Sequence, residues 1–398
     1  MKDPLAPIID CLIDAALGSS DFEAMFSCAC TEFDRTVFPL VRVHLSMTTL
    51  HPLFDVTSMT WQRGEGIRRG QFTTARAPDD DWFSSPFHQM MEIDHVYNRY
   101  YDIRKTDHGF PILAELRQTG ATGYYAMMQG FVSPPERAIT KRDGMISSWA
   151  TDAPGGFGDK GRAAVDRLVS RLAVCAKLYV REAMAENILY AYLGADAGKR
   201  VLDGHIKLGD GESIQAAIWY SDMRNSTPLA DRLPRETFLA LVNAYFDATA
   251  TAVVEEGGEV LRFIGDAVLG IFRIDEKRTM EMAAAEAMQA ARRAVERMNE
   301  FNRATGIGGG ETFDLGIALH VGEVIFGNIG IPSRVEFSVV GSAANETARL
   351  EELNKEYKCR IVVSGDLAAA LPVKDGLTDR GDHVLRGVGH PIHVYTCS

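Results

Sequence analysis

The sequence lacks the features that place a protein in a membrane or on a nucleic acid. No run of about 18 apolar residues occurs in the 398-residue chain, so no membrane-spanning helix is predicted. The formal net charge of −12 argues against nucleic acid or an anionic membrane surface as the main partner. The first residues, MKDPLAPIIDCLIDAALG, contain three acids and no signal-peptide pattern, so a cytoplasmic location is expected.

Cysteine is also scarce, and its spacing does not suit a metal site. Among the six cysteines only Cys28 and Cys30 are close together, and a C-x-C pair without a second pair is a poor metal site. Low-complexity segments are absent, and 46% of the residues are hydrophobic. The chain is therefore expected to be a globular protein with reduced thiols and room for two domains.

Residues 1 to about 160 mix strand and helix patterns. Strand patterns cover 41–50, 55–62, 123–132 and 143–151, and a helix pattern covers 111–120. This alternation favours an α/β domain around an antiparallel sheet. Aromatic residues are dense between Trp61 and Tyr125, where they could line a cavity for a small ligand or form an ordinary core.

A long helical pattern follows at 162–193. Val165, Leu168, Leu172 and Cys175 are spaced three and four residues apart and form a narrow apolar stripe. A helix of about 30 residues is longer than usual. Two interpretations are open: a connector that pairs with its twin in a dimer, or a helix that caps its own domain.

The order of elements from residue 214 onward predicts a ferredoxin-like, α+β domain. A strand at 214–221 is followed by a helix at 234–258, a hairpin at 262–272, a helix at 277–306 and a strand at 313–322. This is the split βαβ order. The remaining predicted elements are strands at 323–329, 335–340, 360–363 and 392–396 and a helix at about 343–356.

Two aspartates fall at matched positions of this sheet. Asp222 ends the first strand, in YSDMRNST, and Asp266 is at the tip of the hairpin RFIGDAVLGIF. The first strand and the hairpin lie side by side in a split βαβ sheet, so the two carboxylates can approach and would repel each other without a cation. Oxygen ligands suit Mg²⁺ or Mn²⁺. Either aspartate alone could instead be a turn or cap residue.

Three further stretches are typical of phosphate chemistry. Backbone N–H groups in SDMRNST could cradle a polyphosphate at a strand-to-helix turn. The stretch SVVGSAANETARLEEL places Asn345 and Arg349 four residues apart on one helix face, and LRGVGHPIHVY offers Arg386 before a glycine turn. Each of these alone could equally be a solvated surface residue.

Taken together, residues from about 192 to 398 resemble the catalytic domain of class III nucleotidyl cyclases. The family motifs F-x-D-[ILM]-x-G-F-T, [KE]-x-x-G-D and G-[DN]-x-V-N-x-x-x-R correspond to YSDMRNST, RFIGD and GSAANETAR, and LRG matches a basic residue before glycine. The resemblance implies a head-to-tail homodimer with two composite sites. It also implies cyclisation of a nucleoside triphosphate, and with ATP, which Arg262 and Ser338 favour as set out below, the enzyme is an adenylate cyclase that gives 3′,5′-cyclic AMP and pyrophosphate.

The resemblance further implies which residues hold the metal. Asp222, Asp266 and the backbone carbonyl of Met223 would bind two Mg²⁺ or Mn²⁺ ions per active site. The ions would activate the ribose 3′-hydroxyl for in-line attack on the α-phosphate, with pyrophosphate leaving.

The remaining roles fall to groups that contact the nucleotide. The second subunit would contribute Asn345, which orients the ribose, and Arg349, which stabilises charge on the α-phosphate. Arg386 would meet the terminal phosphates. Arginine suits these tasks because its planar fork pairs with phosphate oxygens in a bidentate way.

The chain departs from the family motifs at two places that bear on activity. Asn225, Ser226 and Thr227 replace G-F-T, and asparagine is one of the few residues that can adopt glycine-like backbone geometry, so reduced activity is expected. Arg262 and Ser338 stand at the base-selecting positions. The guanidinium can donate to an adenine ring nitrogen but cannot accept from guanine, which favours ATP.

The domain division follows from these assignments. Residues 1–160 resemble a GAF- or PAS-type sensor with a possible small-molecule ligand, 161–211 form a long signalling helix and connector, and 212–398 form the catalytic domain. Ligand occupancy would alter how two catalytic domains meet. Three alternatives are open: a guanylate cyclase, an inactive homologue with a regulatory role, and a diguanylate-type cyclase, whose Gly-Gly-[Asp/Glu]-Glu-Phe signature is absent.

Overall fold

The chain folds into two compact units, Met1–Ile188 and Leu189–Ser398, called here the first and the second unit. The structure is a computed structural model, and it describes residues 3–18, 21–48, 54–73, 80–104, 108–131, 144–305, 313–374 and 376–397. Parts of three predicted strands, at 49–50, 132 and 143, lie outside the described residues.

The first unit is built on a six-stranded antiparallel sheet. Its strands are β1 Arg42–Thr48, β2 Phe54–Gln62, β3 Gly66–Thr73, β4 Asn98–Asp102, β5 Gly123–Gly130 and β6 Gly144–Thr151, in the order β3-β2-β1-β6-β5-β4. Its helices are α1 Ala6–Leu17, α2 Phe22–Thr36, α3 Asp80–Phe83, α4 Pro86–His88 with a π-helical turn Gln89–Ile93, α5 Pro111–Gln118 and α6 Gly158–Leu193. The antiparallel sheet agrees with the expected domain type, and strands β3 and β4 were not predicted.

Both faces of this sheet carry an apolar core, because alternate strand residues point to opposite faces. Trp61, Tyr125 and Trp149 are buried in one core, and Tyr101 and Tyr124 in the other. These aromatic residues therefore act as core packing. The sensor ligand expected from the sequence stays a prediction.

One side of helix α6 is buried in the core of the first unit. Val165, Leu168, Leu172 and Cys175 are all buried in the core that contains Trp149. The apolar stripe identified in the sequence therefore favours the interpretation that the helix caps its own domain.

The second unit contains an eight-stranded sheet. Its strands are β7 Gly211–Met223, β8 Glu259–Ile264, β9 Ala267–Ile274, β10 Leu315–Ile331, β11 Arg334–Val340, β12 Ile361–Ser364, β13 Thr378–His383 and β14 Ile392–Cys397. They lie in the order β13-β14-β12-β10-β7-β9-β8, and β11 pairs with β10. Its helices are α7 Ala195–Leu202, α8 Ser226–Arg232, α9 Arg235–Glu255, α10 Met280–Thr305, α11 Ser342–Tyr357 and α12 Gly365–Ala370.

The predicted α+β class and split βαβ core are confirmed. The elements β7-α9-β8-β9-α10-β10 follow one another along the chain, and their strands lie in the order β10-β7-β9-β8. Ile317 and Leu319 of β10 face the core of α9 and α10, whereas Ala318 faces α11 and Leu350. The sheet is therefore covered by helices on both faces.

Strand β10 differs from the prediction of two strands at 313–322 and 323–329. It is one strand of 17 residues, because it pairs without interruption with β7 from Leu315 opposite Met223 to Gly327 opposite Gly211. A long antiparallel partner can hold a single strand across Gly322, which the sequence pattern suggests as a break.

Within the described residues, α9 is the one helix whose length and composition would allow it to cross a membrane. Its Leu241, Tyr245 and Val253 side chains are buried in the core of the second unit together with residues of α10. One face of helix α9 is therefore buried in this core, and 33% of its most apolar 18-residue window is buried.

Candidate active site

Two aspartates lie at the same end of two neighbouring strands. β7 and β9 pair so that Asp222 is opposite Ala267, and Asp266 immediately precedes Ala267 in the β8–β9 turn. Gly265 has φ of 64° in this turn, a left-handed conformation that glycine adopts at little cost. The backbone pairing of β7 with β9 therefore brings Asp222 and Asp266 together.

The electrostatics of this pair favour a bound cation. Burial, followed by the negative charge of Asp266, raises the pKa of Asp222 above its ordinary value, although Lys355 and Arg224 lower it. Both carboxylates are partly accessible to solvent. A divalent cation bound by the two carboxylates would relieve this penalty on the ionised form of Asp222.

The candidate metal ligands are all oxygen atoms, and they are too few to surround an ion completely. No cluster of three or more His, Cys, Asp or Glu side chains suited to a metal occurs in the part of the chain that the structure describes. Two carboxylates with the backbone carbonyl of the neighbouring Met223 match the way Mg²⁺ is held, by one or two carboxylates together with substrate phosphates. The residues present therefore fit such an ion.

The turn after β7 departs from regular backbone geometry at Asn225. This residue has φ of 57° and ψ of 27°, in the left-handed region, and its carbonyl accepts a hydrogen bond from the N–H of Leu229 as α8 begins. Asparagine thus occupies the glycine-like conformation that the sequence suggested. Ser226 is partly exposed and Thr227 is exposed in the first turn of α8.

A buried ion pair lies beneath the aspartates, and sequence reasoning missed it. Nη2 of Arg224 is 2.8 Å from Oε1 of Glu351 on α11, and the side chains are 13% and 4% exposed. Gly316, opposite Asp222 on β10, leaves space for the pair, because a Cβ there would collide with both charged groups. The pair links the end of β7 to α11.

Helix α11 presents Asn345 and Arg349 to solvent. They lie one turn apart, and Nη1 of Arg349 is 2.5 Å from Oε1 of Glu352. The opposite side of the helix is buried, and there Glu346 contacts His320 of β10 at 3.1 Å. Burial lowers the pKa of His320. The exposed pair is thus displayed from a helix that is fixed to the sheet.

Arg262 and Ser338 line one cavity of about 520 Å³ in the second unit. Its walls come from the end of α6 with the residue that follows it, from α9, from β8 and from β11, and they include Arg262, Glu336 and Ser338. Ser338 is 6% exposed, whereas Arg262 is exposed and forms an ion pair with Glu336. The cavity brings Arg262 and Ser338 together, and Asp222 and Asp266 are not among its lining residues.

Arg386 lies between β13 and β14. It is exposed in a turn whose next residue, Gly387, has φ of 80°. The flanking Leu385 is buried in the small core with Ile392 and Val394. The buried Leu385 side chain thus fixes the turn from which the exposed Arg386 guanidinium extends.

Comparison with known proteins gives one consistent family. Residues 211–397 match the family model described as the adenylate and guanylate cyclase catalytic domain. An adenylate cyclase of Anabaena cylindrica is 28% identical over 177 residues, 44% of this chain and 34% of that protein. An uncharacterized protein of Mycobacterium tuberculosis is 33% identical over 190 residues, 46% of this chain and 32% of that protein.

Solved structures include the adenylyl cyclase CyaB from P. aeruginosa. It is 22% identical, covers 48% of this chain and 96% of its own, and superposes with a TM-score of 0.42. The chain spans about a third of the length of the two curated relatives named above.

Proposed function

We propose that the protein is an adenylate cyclase that converts ATP to 3′,5′-cyclic AMP and pyrophosphate, from the premise that residues 211–397 match the family model of the adenylate and guanylate cyclase catalytic domain. One observation carries the proposal. Asp222 and Asp266 are held at adjoining strand ends by backbone pairing, and burial together with the charge of Asp266 raises the pKa of Asp222. Such a pair suits cations shared with a polyphosphate.

Asp222, Asp266 and the carbonyl of Met223 are the proposed ligands of two Mg²⁺ or Mn²⁺ ions. When bound, such ions lower the pKa of a hydroxyl nucleophile and neutralise charge on the phosphates. The rigid β7–β9 pairing fixes the positions of both carboxylates before substrate arrives, which reduces the cost of organising the site. The N–H groups at Asn225, Ser226 and Thr227 are the proposed contacts to the polyphosphate.

The second subunit of a homodimer supplies the remaining groups in this proposal. Asn345 orients the ribose through its amide, and Arg349 stabilises negative charge that develops on the α-phosphate. Arg386 contacts the terminal phosphates. All three side chains are exposed in the single chain, so they are available to a nucleotide held by another copy.

Purine choice rests on Arg262 and Ser338, which share one cavity. A guanidinium donates only, so it satisfies the N1 acceptor of adenine and leaves the donors of guanine unpaired. An unpaired buried donor costs about 1–3 kcal/mol. ATP is therefore the proposed substrate, and GTP is the competing candidate.

A cyclase assay with ATP and GTP, each in Mg²⁺ and in Mn²⁺, tests the proposal. We expect cyclic AMP from ATP, and a loss of turnover of about 100-fold or more in Asp222→Ala and in Asp266→Ala. Binding of Mn²⁺-ATP without turnover would contradict the enzyme proposal and favour an inactive regulatory homologue. Faster turnover of GTP would identify a guanylate cyclase instead.

Mixing two inactive variants tests the composite site. Asp266→Ala and Arg349→Ala remove groups from opposite subunits of each site, so a mixed dimer retains one intact site. We expect each variant alone to be inactive and the mixture to regain about a quarter of the original activity. No recovery in a mixture shown to exchange subunits would contradict a site shared between subunits.

Regulation by the rest of the chain belongs to the same proposal. Residues 1–160 are the proposed GAF- or PAS-like sensor, and 161–211 are the proposed signalling helix and connector to the catalytic domain at 212–398. The six-stranded antiparallel sheet of the first unit supports a sensor of that kind.

A further inference from the structure

The cavity that holds the base-selecting positions also contains a carboxylate. Glu336 lines it from β11, two residues before Ser338, so both side chains are on the same face of the strand. Oε2 of Glu336 accepts a hydrogen bond from Nη2 of Arg262 on β8, which completes their ion pair. The sequence gives no signal for this contact, because β8 and β11 are far apart along the chain.

We propose that Glu336 is a specificity-determining residue, and that Glu336 and Arg262 together read the purine and select adenine. This inference rests on the proposed function, because it concerns the substrate of the same site. It assigns to Glu336 the acceptor role for which Ser338 is poorly suited. A serine hydroxyl both donates and accepts, so it does not discriminate, whereas an ionised carboxylate only accepts.

The chemistry of the pair matches one edge of adenine. The N1 atom of adenine accepts a hydrogen bond, and the adjacent N6 amino group donates one. Arg262 offers donors, and Glu336 offers acceptors directly beside them. A donor next to an acceptor is the pattern that this edge requires, and both groups come from one chain.

Guanine fits the same pair less well. Its O6 atom accepts, but both its N1–H and its 2-amino group donate, so it needs two acceptors side by side. Among the described residues, Oε2 of Glu336 accepts a hydrogen bond from Arg262, and Nη2 of Arg334 lies 4.0 Å from Oε1. Adenine needs one acceptor for its amino group, whereas the two donors of guanine would have to share the carboxylate with Arg262.

The exposure of the pair makes it available to a ligand. The side chains of Arg262 and Glu336 are 43% and 41% exposed, so water screens their mutual attraction. A base can therefore reach the other N–H groups of Arg262 and Oε1 of Glu336 while the ion pair stays formed. Closing a purine over the pair removes the water and strengthens each hydrogen bond.

Nucleotide binding to the full chain tests the proposal without requiring turnover. A fluorescent ATP analogue would be displaced by ATP and by GTP in Mn²⁺, and the ratio of the two affinities would be compared among variants. We expect Glu336→Ala to reduce the preference for ATP by about ten-fold or more. Glu336→Gln keeps one acceptor oxygen and should retain part of the preference.

Glu276→Ala is the matched control, because Glu276 is exposed in the loop between β9 and α10 and does not line the cavity. It should leave the affinity ratio unchanged. An unaltered ratio in Glu336→Ala, with unfolding temperatures equal to that of the original chain, would overturn the inference. A selective shift in Glu336→Ala in a chain without cyclase activity would support the inference while refuting the proposed reaction.

Discussion

Asn225 shows how a single residue replaces a glycine in the turn that follows the candidate metal ligands. Its left-handed backbone conformation costs most residues about 1–2 kcal/mol, and asparagine is among the few that tolerate it. The turn therefore keeps its course without the family glycine. The side chain that asparagine adds is exposed.

Two substitutions at Asn225 separate these effects. Asn225→Ala should lower the free energy of unfolding by about 1 kcal/mol, because alanine is strained at φ of 57°. Asn225→Gly should have stability close to the original and turn over ATP faster, because it relieves crowding at the phosphates. Urea unfolding and a cyclase assay measure the two quantities. Equal stability of the alanine and asparagine chains would contradict the argument.

Asp222 makes the stability of the metal-free protein depend on pH. Its pKa is raised by burial and by Asp266, so its contribution to folding is favourable below the unfolded pKa near 3.8 and is lost as pH rises through the higher folded pKa. In EDTA at pH 7, Asp222→Asn should therefore unfold a few degrees above the original chain. This advantage should shrink as the pH falls towards about 4.

Thermal unfolding over this pH range, with and without Mn²⁺, measures the effect. Adding Mn²⁺ at pH 7 should stabilise the original chain more than Asp222→Asn. Asp379→Asn is the control with the opposite expected sign: hydrogen bonds from the Gly381 N–H and His393 lower the pKa of Asp379, so this variant should not unfold at a higher temperature than the original chain. A lower unfolding temperature of Asp222→Asn in EDTA at pH 7 would contradict repulsion between the two aspartates.

At the scale of elements, a buried ion pair connects β7 to α11, and β10 lies beside it. Arg224 leaves the end of β7, Gly316 of β10 makes room, and Glu351 of α11 completes the contact. The helix that carries Asn345 and Arg349 is thus fixed to the strand that carries Asp222.

Breaking this pair from one side should be costly. Arg224→Met or Glu351→Leu leaves an unpaired charge in the interior and should each lower the free energy of unfolding by about 3–5 kcal/mol. The double variant removes both charges and should recover most of that loss. Urea unfolding of the three variants checks this non-additivity. Single losses below about 1 kcal/mol would show that the pair is not buried in solution.

The sequence predicts elements where an apolar period is regular and misses them where it is not. The split βαβ core follows from strong patterns, and its topology alone requires Asp222 to lie beside the hairpin of Asp266. β13, with the sequence TDRGDH, has no apolar alternation, and α7 lies in a glycine-punctuated segment. The contacts of Glu336 and Glu351 join elements distant in sequence, so only the packed structure reveals them.

At the scale of the whole molecule, α6 has a second apolar stripe that the sequence analysis did not identify. Val174, Leu178 and Ile188 are 61%, 43% and 41% exposed. Together with Arg181 and Ala185 they follow the alternating four- and three-residue spacing of a heptad seam. The side of α6 that faces away from its own core is therefore suited to a second copy of the same helix.

Charge introduced into this seam tests whether α6 contributes to the proposed homodimer. Val174→Glu with Leu178→Glu places like charges on both helices of a pair, so we expect weaker dimerisation by about ten-fold or more and a parallel loss of cyclase activity at low protein concentration. Sedimentation over a range of concentrations measures the first, and a cyclase assay on the same samples measures the second. Glu186→Lys changes the net charge by the same size, with opposite sign, at an exposed position outside the seam, and it should leave both unchanged. If the double variant dimerises as tightly as the original chain, the dimer contact lies elsewhere. If its activity rises again at high protein concentration, the catalytic groups are intact and lack only their second subunit.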